Sequence, residues 1–344
     1  MTIFSLRQLL DTGIKTRLKA GIKSALVAGM MVAGTIAPAA ATDKITLLLD
    51  WFVNPDHGPV IVAQEKGFFA EEGVEIELTI MESTPLKMGA FMAGQVDIVA
   101  STADEFPTYM REGKPLKYIL AVDNSNGGDG VVANKDIASV ADLKGRSVAF
   151  EEGSVSQFFI NALLRREGLT QSDVEMINMT ATDAGLAFTA GRVDAAVTWE
   201  PHLSQGAAMD HGKILVSSAE TPGLIVDVVA VLDSTAAEHE AELKGFVRAW
   251  QRSLDFLESN PDEAYQIMAD GVGGWLEDPN EFKAAATGIE YLSIARNTEM
   301  FGTPDAPGVL SQTIDDAIAI WRDLGRIKLE SLSSQDLVDT SFLN

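Results

Sequence analysis

From Lys44 onward the hydrophobic and polar positions switch between two periods. Ile45 to Leu49 (ITLLL) is a continuous apolar run, the pattern of a strand covered on both faces. Pro59 stands where a helix can open, Val60 to Lys66 continues it, and Gly67 supplies a left-handed stop. Val74 to Ile80 (VEIELTI) predicts the next strand, Lys87 to Ala93 the next helix with Gly94 ending it, and Val96 to Ala100 a further strand. Such alternation predicts an α/β fold with mainly parallel sheets and helices on both faces.

One segment returns later in the chain. Ala90 to Asp97 (AFMAGQVD) is echoed by Ala187 to Asp194 (AFTAGRVD), 97 residues on, and in both copies a helix ends at glycine before an apolar strand. Two copies are too few for a solenoid. They fit two similar α/β lobes sharing a cleft, although a helix, glycine and strand also recur by chance in α/β chains. The polar, glycine-rich stretch Asp123 to Gly130 (DNSNGGDG) predicts a loop and the first crossing between lobes. The expected division is lobe 1 over 42–127 and 232–344, and lobe 2 over 128–231. Beyond Asp233 the pattern is helical at Ala241 to Leu257, after Pro261 and at Gln312 to Leu324, segments expected to brace lobe 1.

Composition narrows the class. A chain of 344 residues, 46% hydrophobic, can bury a core of two-domain size. Fifty acidic residues against 26 basic ones give a net charge of -24, which disfavours nucleic acid and anionic lipid as partners. With no cysteine, disulfides, thiolate metal sites, cysteine nucleophiles and lipid attachment through cysteine are excluded. The first forty residues differ: Arg7, Lys15, Arg17, Lys19 and Lys23 accompany the single acid Asp11, then come the short apolar run Ala25 to Ala37 and the small residues Ala39 to Ala41. This pattern predicts a signal peptide over 1–41, with an N-terminal anchor as the alternative. Its removal takes five positive charges and one negative from the total of -24, leaving -28. A soluble exported protein is expected.

In open α/β sheets solutes bind beyond the carboxyl ends of strands, and four segments meet that description. The first, Asp50 to His57, gathers Asp50, Trp51, Asn54 and His57 in one loop, where capping and core filling are the competing roles. In the second, Ser101 and Thr102 precede Glu105 as a helix start, which reads equally as a capping box. The third, Glu151 to Ser156, offers Glu152, Ser154 and Ser156 around a glycine turn, with capping by Ser154 the alternative. The fourth places Trp199 and Glu200 at a strand end. None of the four contains Lys or Arg, so a bare anion finds few fixed positive charges, whereas a flat or amine-bearing solute finds stacking partners and acceptors.

Signatures of catalysis are missing: there is no Gly-x-x-x-x-Gly-Lys loop, no His-Glu-x-x-His and no Gly-x-Ser-x-Gly. The histidines His57, His202, His211 and His239 are scattered, and Gly271 to Gly274 follows no strand. No catalytic residue, metal site or cofactor is assigned.

The segment LLLDWFVNPDHGPVIVAQEKGFFAEEGVEIEL (Leu47 to Leu78) resembles the opening of the ABC-importer substrate-binding family for nitrate, sulfonates, taurine and thiamine-pyrimidine precursors. GGDGVVANKDI, VADLKGRSVAFEEGSVSQFFINALLRREGL and AGRVDAAVTWEPHL follow the same family in order. The resemblance implies the type II periplasmic-binding-protein fold, two α/β lobes that close over ligand, and a monomer that passes its solute to an inner-membrane permease. The Asp50 to His57 and Lys66 to Phe69 runs look most like the pyrimidine-precursor branch, the Gly153 to Ser156 and Trp199 to Pro201 turns more like the sulfonate and taurine branch. A eukaryotic relative of this fold makes the thiamine pyrimidine with a lysine that holds pyridoxal phosphate and a histidine donor. Ser101 and Glu105 occupy those two positions, so the resemblance implies a binder rather than that enzyme. The expected ligand is an aminopyrimidine, between Trp51 and Trp199 and accepted by Glu152 and Glu200. Taurine, an alkanesulfonate or nitrate is the alternative.

Overall fold

The computed structural model describes residues 44–50, 55–81 and 84–344, apart from the side chains of Asp50 and Trp275. The expected signal peptide, Trp51 and Asn54 lie outside the described residues. Eleven strands build the two main sheets. In chain order they are β1 (Lys44–Asp50), β2 (Glu75–Met81), β3 (Ile98–Thr102), β4 (Leu116–Ser125), β5 (Asp129–Asn134), β6 (Ser147–Phe150), β7 (Glu175–Asn178), β8 (Ala195–Trp199), β9 (Gly212–Ser217), β10 (Val226–Leu232) and β11 (Ile289–Tyr291).

The first sheet runs β11-β4-β10-β3-β1-β2 and the second β7-β6-β8-β5-β9. In each, three strands pair in parallel (β2, β1, β3 and β7, β6, β8) and the next neighbour is antiparallel. The two echoed segments therefore end in strands with the same place in their sheets, β3 and β8. The expected α/β alternation holds. Corrections fall at the crossings. Strands β4 and β5 extend into the polar stretch, so only residues 126–128 connect them. Strand β10 belongs to the first sheet, which puts the return crossing before Val226 rather than at 231.

Apolar strands and helix faces meet in one large core that reaches from β1 (Ile45, Leu47) through β10 to Phe158 and Phe159 of the helix Val155–Arg166. The helix Glu240–Ser259 buries Leu243, Phe246, Val247 and Trp250 on one side, the amphipathic stripe expected of it. Phe246 stacks on Phe69 at 5.5 Å. The two buried indoles are answered: Trp250 Nε1 donates to Leu292 O at 2.9 Å and Trp321 Nε1 to Asp104 O at 2.8 Å. Asn297, fully buried, accepts from Ala121 N at 2.6 Å and donates to Ala121 O at 2.8 Å. Without it, β4 would carry unpaired backbone groups beside its bulge.

Two serines hold the crossings together. Ser218, with no exposed surface, accepts from Gly127 N at 2.7 Å and lies 2.8 Å from Ser125 Oγ. Gly288 O accepts from Asn126 N at 2.7 Å; a Cβ on Gly128 would stand 3.1 Å from that oxygen, so a side chain there would crowd the connection.

Candidate functional site

The carboxyl ends of β3, β4 and β8 converge with the starts of β5 and β10 on a cavity of about 100 Å³. Taking roughly 10–15 Å³ of such space per water, it accommodates on the order of ten heavy atoms, a single substituted ring. Five carboxylates line it: Asp56, Asp123, Asp129, Glu200 and Asp227. Trp199 supplies an aromatic face, and Val155, Ile225 and Ile289 apolar wall; no Lys or Arg is among its described lining residues.

Strand register explains the acids. Asp227 of β10 lies directly opposite Thr102 of β3 on one side and Asp123 of β4 on the other, and Tyr291 of β11 lies opposite Asp123. Residues opposite one another on antiparallel strands project from the same face. The row Thr102, Asp227, Asp123 therefore points into the cavity together, next to a bulge that leaves Val122 without a partner in β10. Asp123 is 4% exposed and its Oδ2 has no hydrogen-bond partner; Thr102 Oγ1, on a residue 2% exposed, has none either. Burial holds the Asp123 carboxyl well above the usual carboxylate range, and Asp227, Asp56 and Asp129 add to the effect. Asp129 accepts from Ser125 Oγ at 2.6 Å, yet burial pushes it up to about 6, with Glu200 contributing.

Behind the cavity sits a second polar cluster. Lys87 Nζ donates to Ser101 Oγ at 2.8 Å and lies 3.3 Å from Glu105 Oε2, and Ser101 Oγ donates to the same oxygen at 2.9 Å. His57, 5% exposed, is pushed down to about 4 by burial and by Lys87. Its imidazole is neutral at pH 7.

The structure divides the expected site residues. Thr102, Trp199 and Glu200 line the cavity. Ser101 and His57 are buried behind it and do not. The helix start expected at Ser101 is displaced: β3 continues through Thr102, the helix covers Phe106–Tyr109, and Glu105 turns inward to Lys87 instead of closing a capping box. Glu152 is exposed and paired with Arg326 at 2.8 Å, outside the lining. Ser154 caps the helix Val155–Arg166 by accepting from Ser156 N at 3.2 Å, so both serines serve that helix end. Asp50 ends β1, its side chain outside the described set.

Sequence reasoning missed Asp56, Asp123, Asp129 and Asp227 as site residues. A signal existed for two of them. Asp227 is the lone acid within Leu224 to Leu232 (LIVDVVAVL), and Asp123 ends the run Tyr118 to Val122 (YILAV). A carboxylate inside an apolar strand is costly unless a partner or ligand answers it.

Residues 54–264 match the family model described as NMT1/THI5 like. A Haemophilus influenzae protein called a putative thiamine biosynthesis protein is 27% identical over 245 residues, 70% of this chain and 78% of that protein. A Legionella pneumophila protein called 4-amino-5-hydroxymethyl-2-methylpyrimidine phosphate synthase is 26% identical over 250 residues, 68% of this chain and 75% of that protein. Among solved structures, the periplasmic aliphatic sulphonate binding protein SsuA from Escherichia coli superposes with a TM-score of 0.69 at 15% identity, over 88% of this chain and 100% of that one. At that identity the likeness speaks for the fold, which is that of a periplasmic binding protein.

Proposed function

Because the chain belongs to the NMT1/THI5-like family and has a periplasmic-binding-protein fold, we propose that it is the solute-binding component of an ABC importer, exported to the periplasm, with a compact aminopyrimidine of the thiamine-precursor type as its solute. The observation that carries this reading is the lining: five carboxylates, a tryptophan face and no Lys or Arg among the described residues. Exocyclic amino groups find acceptors there and a flat ring finds Trp199. A sulfonate or nitrate would meet like charge, a penalty that disfavours anions in a desolvated site. The name of the Haemophilus relative agrees with a pyrimidine.

Lys87 bears on the competing reading, a pyrimidine-forming enzyme. Its ammonium is fully buried and committed to Ser101 and Glu105, so it offers no free amine for an imine with pyridoxal phosphate. In action, solute would dock on one lobe, the other would move over it, and the closed form would present both lobes to a permease. Calorimetry with formylaminopyrimidine, hydroxymethylpyrimidine and taurine tests the assignment. Heat from at least one pyrimidine and none from taurine is expected. Tight taurine binding with neither pyrimidine bound would overturn it, and an imine absorbance with pyridoxal phosphate would overturn the binder reading.

A further inference from the structure

We propose that Asp129 is the residue through which a bound solute fixes the connection between the two sheets: its carboxylate faces the cavity and ends a row of hydroxyls that ties both crossing segments, so that a solute amine and the row hold one another in place. This rests on the solute-binding reading and adds the positioning residue that carries binding to the crossings. Asp129 opens β5 directly opposite Trp199 of β8, and opposed residues on antiparallel strands project from one face. A flat solute against Trp199 therefore has the Asp129 carboxylate beside its edge, where an exocyclic amine is a donor. Away from the solute, Asp129 Oδ2 accepts from Ser125 Oγ at 2.6 Å, Ser125 Oγ lies 2.8 Å from Ser218 Oγ, and Ser218 Oγ accepts from Gly127 N at 2.7 Å. Ser125 ends β4, Gly127 lies in the first connection and Ser218 in the return connection after β9, so the row spans both.

Proton counting gives the row its direction. A carboxylate only accepts, so ionised Asp129 takes the single Ser125 proton, Ser125 then accepts from Ser218, and Ser218 turns a lone pair to Gly127 N. All three bonds run one way. A carboxylic acid can instead give its own proton to Ser125, and the row then has no fixed direction. Asp129 stands near that choice, because burial pushes it up to about 6 against the Ser125 bond that lowers it, with Glu200 adding to the rise. Among the described residues the charged groups around it are acidic. Glu200 follows Trp199 and is engaged by Ser204 N at 3.1 Å and Ser204 Oγ at 2.5 Å, Asp123 on β4 is raised by Asp129, and Asp56 and Asp227 complete the acidic lining. Beside the row, Glu281 of the helix Pro279–Ala286 lines the adjoining opening with Gly127, and Glu220 is turned back to Ser217 N at 3.1 Å. An amine on the solute favours ionised Asp129, so binding breaks the carboxyl O–H bond in the protonated fraction and sends that proton to solvent. Affinity for an amine is therefore full above about pH 6 and is lost as pH falls through it.

The amide proton of Gly127, two hydroxyls away from the carboxylate, reports the direction of the row in the protein without solute. Its NMR shift is expected to step with a midpoint near pH 6 in the parent and to show no such step in Asp129→Asn, whose amide does not ionise. Hydroxymethylpyrimidine, and benzamidine as a flat cation of constant charge over this range, are expected to move that midpoint to lower pH. In calorimetry the Kd of Asp129→Asn relative to the parent is expected to shrink about tenfold between pH 7.5 and pH 5, as protonated Asp129 comes to resemble the amide. The titration of the pyrimidine ring is common to both proteins and cancels in that ratio. The Gly127 readings on the unmodified protein stand whether or not the variant folds. A Gly127 shift that is flat across this range, a step retained in Asp129→Asn, or a Kd ratio independent of pH would overturn the proposal. Pyrimidine binding with an unmoved Gly127 midpoint would also overturn it and leave the aminopyrimidine reading intact. Benzamidine moving the midpoint while neither pyrimidine gives heat would do the reverse, and binding of no probe would overturn both.

Discussion

Lys87 and Glu105 form an ion pair of 3.3 Å in which the two side chains are 0% and 1% exposed, and Ser101 closes the triangle. A buried pair of this kind adds little net stability over apolar side chains of the same size, but removing one partner strands the other charge. Lys87→Met is therefore expected to cost about 3–5 kcal/mol, and Lys87→Met combined with Glu105→Met to recover most of it. Urea denaturation of both variants and the parent decides. Single and double variants of equal stability would show that the pair is not the source of the loss.

The pH dependence of stability combines two opposed groups. His57 falls from 6.5 unfolded to about 4 folded, because burial and Lys87 disfavour its charged form. Below pH 6.5 the unfolded chain gains a proton that the folded one refuses, so this contribution is lost between pH 6.5 and 4, on the order of 3 kcal/mol in all. Asp129 is raised from 3.8 to about 6, mainly by burial. Its contribution is full below pH 3.8 and is lost as pH rises through about 6. Relative to the parent, His57→Asn should gain stability from pH 7 to 4, and Asp129→Asn should gain from pH 4 to 8. Denaturation midpoints over that range test both, and parallel curves would refute the assignments.

The sequence-predicted acceptors divide as their surroundings do. Glu152 is held by Arg326 outside the cavity, whereas Glu200 lines it. Glu152→Gln should leave solute affinity within about twofold, because an exposed pair is worth little. Glu200→Gln should weaken a solute amine contact by roughly tenfold or more, as expected when a hydrogen bond to a charged group becomes neutral. Affinities that fell equally in the two variants would place Glu152 at the solute.

What was legible in the sequence follows from how local its cause is. The echo of Ala90 to Asp97 in Ala187 to Asp194 proved to be structural repetition. Asp97 Oδ2 accepts from Thr46 N in β1 at 2.7 Å, and Asp194 Oδ2 accepts from Ser147 N in β6 at 2.9 Å, the same bond in each sheet. Apolar runs marked β1 and β8 because a strand buried on both faces must be apolar throughout. The acid row was hidden for the opposite reason. That Asp227 meets both Thr102 and Asp123 depends on strands β3, β4 and β10 becoming neighbours, and an antiparallel strand entering a parallel set leaves no short-range mark. Lys87 read as an ordinary helix residue, since its burial is decided by Glu105, 18 residues later. Ser154 capped its helix as local chemistry allows, which is why its sequence signal could not separate cap from ligand.

Ser218 offers the sharpest test of closure. Its hydroxyl joins both crossings, taking Gly127 N at 2.7 Å and lying 2.8 Å from Ser125 Oγ, which in turn donates to Asp129 at 2.6 Å. Ser218→Ala would leave Gly127 N unanswered in a buried place and free Ser125 to move, at a cost of about 1–3 kcal/mol. Because these bonds tie the two segments that connect the sheets to each other, their loss should favour an open form. Small-angle scattering is expected to show a larger radius of gyration for Ser218→Ala than for the parent without solute, and compaction of both on saturation. Solute should bind the variant more weakly, since part of its binding energy is spent on closing it. A variant with unchanged radius and affinity but lowered stability would mean that Ser218 supports the fold without governing the opening.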